Sequence, residues 1–113
     1  MMKDAIQELF DASEKMNGSA MSLIRCLILV ILNYYRDGLQ FRELKAAFGI
    51  SDGRLASNLN KMEEFGYLEK SSVEFDNKTL TVYYLTPEGV NEVKKMGLWM
   101  ESILRIINGG QGS

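Results

Sequence analysis

Histidine is absent from the 113 residues, and cysteine occurs once, at Cys26. Without an imidazole and with a single thiol, the chain has no Ser/His or Cys/His nucleophile pair. Nor can it form a histidine metal site, a four-cysteine zinc site or an intramolecular disulfide. Most common enzyme chemistries lose their usual residues, so the chain is read as a non-enzyme with no cofactor and no metal. A basic excess is also missing: 13 Lys and Arg face 15 Asp and Glu, for a net charge of −2 and a pI near 5.2. Any contact with DNA must then rest on a local patch. Long apolar runs are missing too, since the longest, Cys26 to Leu32, falls well short of the roughly 20 residues that cross a bilayer. No membrane partner is expected. Met1 to Phe10 carries Asp4 and Glu8 and lacks the basic start and apolar centre of a signal peptide, which with the lone cysteine points to the cytoplasm. What remains is 46% hydrophobic and 25% charged, an ordinary globular composition at the length of one domain with a real core.

The periodicity predicts a helix from Lys3 to Met16, with Ile6, Leu9, Phe10 and Met16 on one face. Asn17-Gly18 stops it, and Ser19 is the expected N-cap of a second helix that runs to about Tyr35. Met21 to Tyr35 is apolar on nearly every side, the pattern of a core helix packed all round. Asp37-Gly38 reads as a turn, Leu39 to Phe41 as a short strand or extended entry, and Arg42 to Phe48 as a short helix ended by Gly49. Ser51 then caps a helix to Phe65, stopped by Gly66, with Leu55, Leu59 and Met62 facing inward. Its outward arc holds Arg54, Ser57, Lys61 and Glu64, with Asn58 and Asn60 on the shoulders. Tyr67 to Phe75 and Leu80 to Leu85 form a hairpin around the turn residues Asp76 to Thr79. Thr86-Pro87-Glu88 starts a last helix that reaches about Asn108.

This order, helix, helix, short helix, glycine turn, helix, hairpin, helix, is that of a winged helix-turn-helix. The stretch FRELKAAFGISDGRLASNLNKMEEFGYLEK over residues 41–70 resembles the helix-turn-helix of small MarR- and ArsR-like transcription regulators, as does YLTPEG at 84–89. The resemblance covers about Ala20 to Lys95 and is nearest to the short archaeal-type regulators. The expected fold class is mainly α (α+β), a winged helix-turn-helix with an added helix at each terminus. The expected organisation is an N-terminal helix over 1–18, a reading core over 19–86, a C-terminal helix over 87–108 and a disordered tail over 109–113.

The resemblance implies a homodimer on double-stranded DNA, with the recognition helix 51–65 in the major groove and the wing tip 76–79 on the backbone or minor groove. Carried onto these residues, Arg54, Ser57, Asn58 and Lys61 face bases, because their donors and acceptors match base edges. Ser51 lies near the backbone, Arg42 and Lys45 reach phosphates, and Asn77, Lys78 and Thr79 supply the wing contact. Two features depart from the family pattern. From Arg36 to Lys70 the cations Arg36, Arg42, Lys45, Arg54, Lys61 and Lys70 are balanced by Asp37, Glu43, Asp52, Glu63, Glu64 and Glu69. The wing tip offers a lone Lys78 beside Asp76. An alternative function is therefore a winged helix used for protein docking in a transcription assembly.

The terminal helices carry more apolar surface than one small domain uses. Ile6, Leu9, Phe10, Trp99, Met100, Ile103, Leu104 and Ile107 are the expected dimer interface, with Gly97 marking a close helix crossing. The alternative is that the first helix folds back over the last within one chain, which would bury part of the same surface and leave a monomer. Met96, Trp99 and Met100 could instead line a pocket for a small-molecule effector of unknown identity, although such a stripe is more often core or interface. Cys26 reads as a small buried hydrophobe among Leu23, Leu27 and Val30. Glu63 and Glu64 point about 100° apart on their helix and are read as a solvated face.

Overall fold

A computed structural model describes residues 2–18 and 22–109. Five helices and three strands follow in order: α1 Met2–Glu14, α2 Leu23–Tyr34, β1 Leu39–Gln40, α3 Phe41–Phe48, α4 Asp52–Glu64, β2 Leu68–Phe75, β3 Lys78–Leu85 and α5 Pro87–Ile107. The antiparallel sheet has the order β1-β3-β2, with Leu39 opposite Tyr83 and Leu68 opposite Leu85. The winged helix-turn-helix read from the sequence is the fold of this chain.

The core gathers one face from each element. Ile28, Leu29 and Leu32 of α2, Leu44 of α3, and Leu55, Leu59 and Met62 of α4 are fully buried against Leu68, Tyr83 and Leu85 of the sheet. Local chemistry sets the boundaries. Gly49 ends α3 in the left-handed region at φ +65°, and its N–H donates to the Lys45 carbonyl at 2.8 Å. The Ser51 hydroxyl accepts from the Arg54 N–H at 3.2 Å and so opens α4. At the far end of the wing, Thr86 joins three segments. Its N–H donates to the Tyr67 carbonyl at 3.0 Å, and its hydroxyl donates to the Gly66 carbonyl and accepts from the Gly89 N–H. The base of the wing, the end of α4 and the start of α5 are thereby held as one body.

Several expectations are corrected in detail. α1 ends at Glu14, and Lys15 and Met16 belong to the following turn, bonded to the carbonyls of Ala12 and Ser13. α2 is capped by Ser22, whose hydroxyl accepts from the Arg25 N–H at 3.3 Å; Ser19, the cap expected from the sequence, lies outside the described residues, as do residues 110–113 of the expected tail. The wing turn is Asp76-Asn77 alone, both with positive φ, and the strands pair as far as Phe75 opposite Lys78. Lys78 and Thr79 therefore begin β3 instead of completing a four-residue loop. α2 is also not packed all round, because Leu23, Leu27, Val30 and Tyr34 are exposed.

α1 folds back along α5 within the same chain. The Trp99 indole donates to the Leu9 carbonyl at 3.0 Å, and the Asn17 N–H donates to the carboxylate of Glu92, a residue of α5 that is almost completely buried. Tyr67 belongs to the same junction. Burial pushes its phenol above the usual value, Glu92 adds to that, and a hydrogen bond with Asn17 works in the opposite direction. Even so the molecule is elongated, 60 × 23 × 23 Å, with a radius of gyration of 16.8 Å where a compact chain of this length has about 13 Å.

Cys26 is half-buried on α2, and burial pushes its thiol above the usual value. The expected neighbours Leu23, Leu27 and Val30 are themselves about half exposed or more, so they form no closed apolar pocket around it. A thiol reagent at neutral pH should label the folded protein more slowly than the chain in denaturant, since the thiolate is the reactive form. Equal rates would show that the fold gives no protection.

Candidate nucleic-acid interface

Three of the four base-facing candidates share one open face of α4. Arg54, Ser57 and Lys61 are exposed, and Arg54 and Lys61 stand two turns apart, about 10 Å along the helix axis. The Lys61 ammonium lies 5.8 Å from the centroid of the Phe65 ring, which supports the stem and leaves the outer side of the charge to solvent. Ser51 is exposed at the N-terminal end of the same helix, where the dipole favours a phosphate.

Asn58 departs from the expectation of a freely reading amide. Its Oδ1 accepts from Arg25 Nε at 3.0 Å, and its Nδ2 donates to the Arg54 carbonyl at 2.8 Å. Both ends of the amide bond within the chain, so Asn58 ties α4 to α2. Arg25 was not singled out from the sequence as part of this site, although a signal existed: it is the sole charged residue between Leu23 and Tyr34.

Lys45 is also engaged. Its ammonium pairs with Asp52 across the turn between α3 and α4, at 2.6 Å and with both side chains well exposed. A phosphate at Lys45 would have to compete with that carboxylate. Lys70 stands 3.7 Å from Glu63 at the back of α4. Arg42 on α3 is exposed. On the wing, Asn77, Lys78 and Thr79 are exposed, with the Thr79 hydroxyl donating to Glu74 at 2.7 Å. Phe75, beside the turn, is largely exposed as well. Among the expected interface residues, Ile6, Phe10, Met100, Leu104 and Ile107 are exposed, whereas Leu9, Trp99 and Ile103 are half-buried. Gly97 meets nothing within 4 Å in its own chain, so no close crossing occurs there within one protomer.

An open cleft of about 330 Å³ lies between the end of α2 and the start of α5, lined by Arg36, Leu85, Thr86, Pro87, Val90 and Asn91. Met96, Trp99 and Met100, expected as possible pocket residues, do not line it. Among the described residues no group of acidic and cysteine side chains is placed to hold a metal, and no helix is long and apolar enough to cross a membrane.

The architecture is shared with known structures. A MepR variant of S. aureus bound to an oligodeoxyribonucleotide superposes with a TM-score of 0.67 at 14% identity, over 96% of this chain and 77% of that one. A transcriptional regulator homologue from Pyrococcus horikoshii OT3 gives 0.67 at 20% identity, over 94% and 96%. BpsR of Bordetella bronchiseptica, whose DNA binding is regulated by 6-hydroxynicotinic acid, gives 0.63 at 18% identity, over 96% and 82%. At these identities the likeness establishes the fold. No curated protein matches the sequence. The profile of the winged helix DNA-binding domain matches residues 24–104, from the second residue of α2 to three residues before the end of α5. This chain belongs to the winged helix DNA-binding domain family.

Proposed function

We propose that the protein is a sequence-specific transcriptional regulator that binds double-stranded DNA as a homodimer. The helix over 51–65 enters the major groove and the wing tip over 76–79 follows the backbone or minor groove. The observation that carries this reading is the exposed face of Arg54, Ser57 and Lys61 on a helix fixed at one end by the Gly49 turn and the Ser51 cap, and at the other by the Gly66–Thr86 bond. The cations on that face suit guanine edges and phosphates, and Ser57 suits a base or a phosphate. Asn58 acts behind them by holding the helix to α2. In this organisation 19–86 reads DNA, and the helices over 1–18 and 87–108 join two copies.

Selection of bound sequences from a random duplex pool tests the proposal. The expected winner is a pseudo-palindrome with half-site centres about 10 base pairs apart, bound with an affinity that falls as salt rises. A pool that yields no enriched sequence would favour the docking alternative, which the balanced charge of residues 36–70 supports.

A further inference from the structure

Exposed apolar side chains occur on α1 (Ile6, Phe10), on the wing (Val73, Phe75) and at Tyr35 and Leu98, and others form two continuous strips on α2 and on the end of α5. At 100° per residue, Leu23, Leu27, Val30 and Tyr34 of α2 lie within an arc of about 60°, opposite the buried Ile28, Leu29 and Leu32. Leu23 is 84% and Tyr34 78% exposed. α2 thus has two apolar faces, and one of them meets solvent. On α5, Gly89, Met96, Met100 and Ile107 share an arc of about 40°. That arc is buried at Gly89 and Met96, yet open at Met100, Leu104 beside it, and Ile107, which is 69% exposed. The face that docks α5 on the core simply runs on past the core's edge.

We propose that these strips seat on each other across a two-fold axis, the end of α5 of each protomer lying along the outer face of α2 in a second copy. The inference rests on the homodimer proposed above and adds α2 to it. Three observations select a second copy as the occupant. The end of α5 cannot turn back onto its own outer α2 strip, because that strip faces away from the core on which the first half of α5 lies. Nor is α1 the cover, since it is bonded to α5 through Trp99 and Leu9. Arg25, the only charge on α2, bonds to Asn58 of α4, so both strips are uncharged; a lipid surface would call for a basic flank instead. Complete coverage of both strips would bury at most about 900 Å² per protomer, close to the roughly 800 Å² that each partner gives to a stable interface. A two-fold axis makes both seats identical, as self-complementary dimers require.

Sedimentation at 10 µM and cysteine pairing test the proposal. The wild type should run as a dimer, and Leu27→Glu should raise the dissociation constant at least 100-fold while leaving circular dichroism and the melting temperature of the protomer unchanged. In a Cys26→Ser background, a Leu27→Cys chain mixed with a differently tagged Leu104→Cys chain should yield a disulfide-linked mixed dimer under mild oxidation. A dimer that survives Leu27→Glu but splits with Ile107→Glu, without the mixed disulfide, overturns the α2 seat and leaves the homodimer standing. A wild-type monomer overturns both.

Discussion

Replacing Gly89 by alanine should cost about 3 kcal/mol, the upper end of overpacking penalties, and lower the melting temperature by roughly 15 °C. An added Cβ would lie 2.3 Å from the Tyr67 carbonyl oxygen, with the Tyr67 carbonyl carbon and Leu85 Cδ2 both at 3.1 Å. Neither side can yield cheaply. The Tyr67 carbonyl already accepts the Thr86 N–H, and the Thr86 hydroxyl holds both the Gly66 carbonyl and the Gly89 N–H. Moving α5 away from the wing base would stretch these bonds together. Gly53→Ala is the control, since a Cβ there meets nothing within 4 Å. It should gain about 0.4 to 1 kcal/mol by restricting the unfolded chain. Thermal unfolding followed by circular dichroism reads both, and equal melting of Gly89→Ala and wild type would show that the Gly66–Tyr67–Thr86 junction gives way freely.

The Arg54→Ala, Lys61→Ala double variant should bind the selected duplex at least about 30-fold more weakly, with an unchanged melting temperature. Each side chain, placed against a base, is worth about 1 to 3 kcal/mol, and the lower bound for the pair, about 2 kcal/mol, corresponds to about 30-fold. Both project from the exposed face of α4, away from Leu55, Leu59 and Met62, so the core has no reason to change. Lys78→Ala should differ in kind. As a backbone contact it would weaken all duplexes alike and reduce the slope of log affinity against log salt by about one. Fluorescence anisotropy over a salt series separates the two, and equal binding by the double variant and wild type would transfer the chain to the docking alternative.

Where the chemistry is local, the sequence was a good guide. Gly49, Gly66, Ser51 and the Thr86-Pro87 start each act within a few residues of themselves, and the helices they bound lie where their spacing predicts. The wing turn was misread because Asp76-Asn77 contains no glycine, although both residues adopt the left-handed backbone that a two-residue hairpin needs. Longer-range facts were not legible. The strip Leu23, Leu27, Val30 and Tyr34 reads the same whether a neighbour covers it or not, and only the placement of α5 and α1 leaves it bare. Asn58 looks on a helical wheel like any other reading residue, and what commits it is Arg25, 33 positions away. The same holds for Lys45, whose pairing with Asp52 across the turn between α3 and α4 the sequence does not display.

The Lys45–Asp52 pair also bears on how such a protein finds its site. On the proposed reading, Asp52 beside Lys45 lowers that ammonium's gain from a phosphate, by no more than the roughly 1 kcal/mol that so exposed a pair is worth, and so trims the hold on random duplex. A weaker hold on random sequence means that fewer molecules are lost to the vast excess of competing genomic sites. On the same reading, fewer copies per cell are needed to keep one operator occupied.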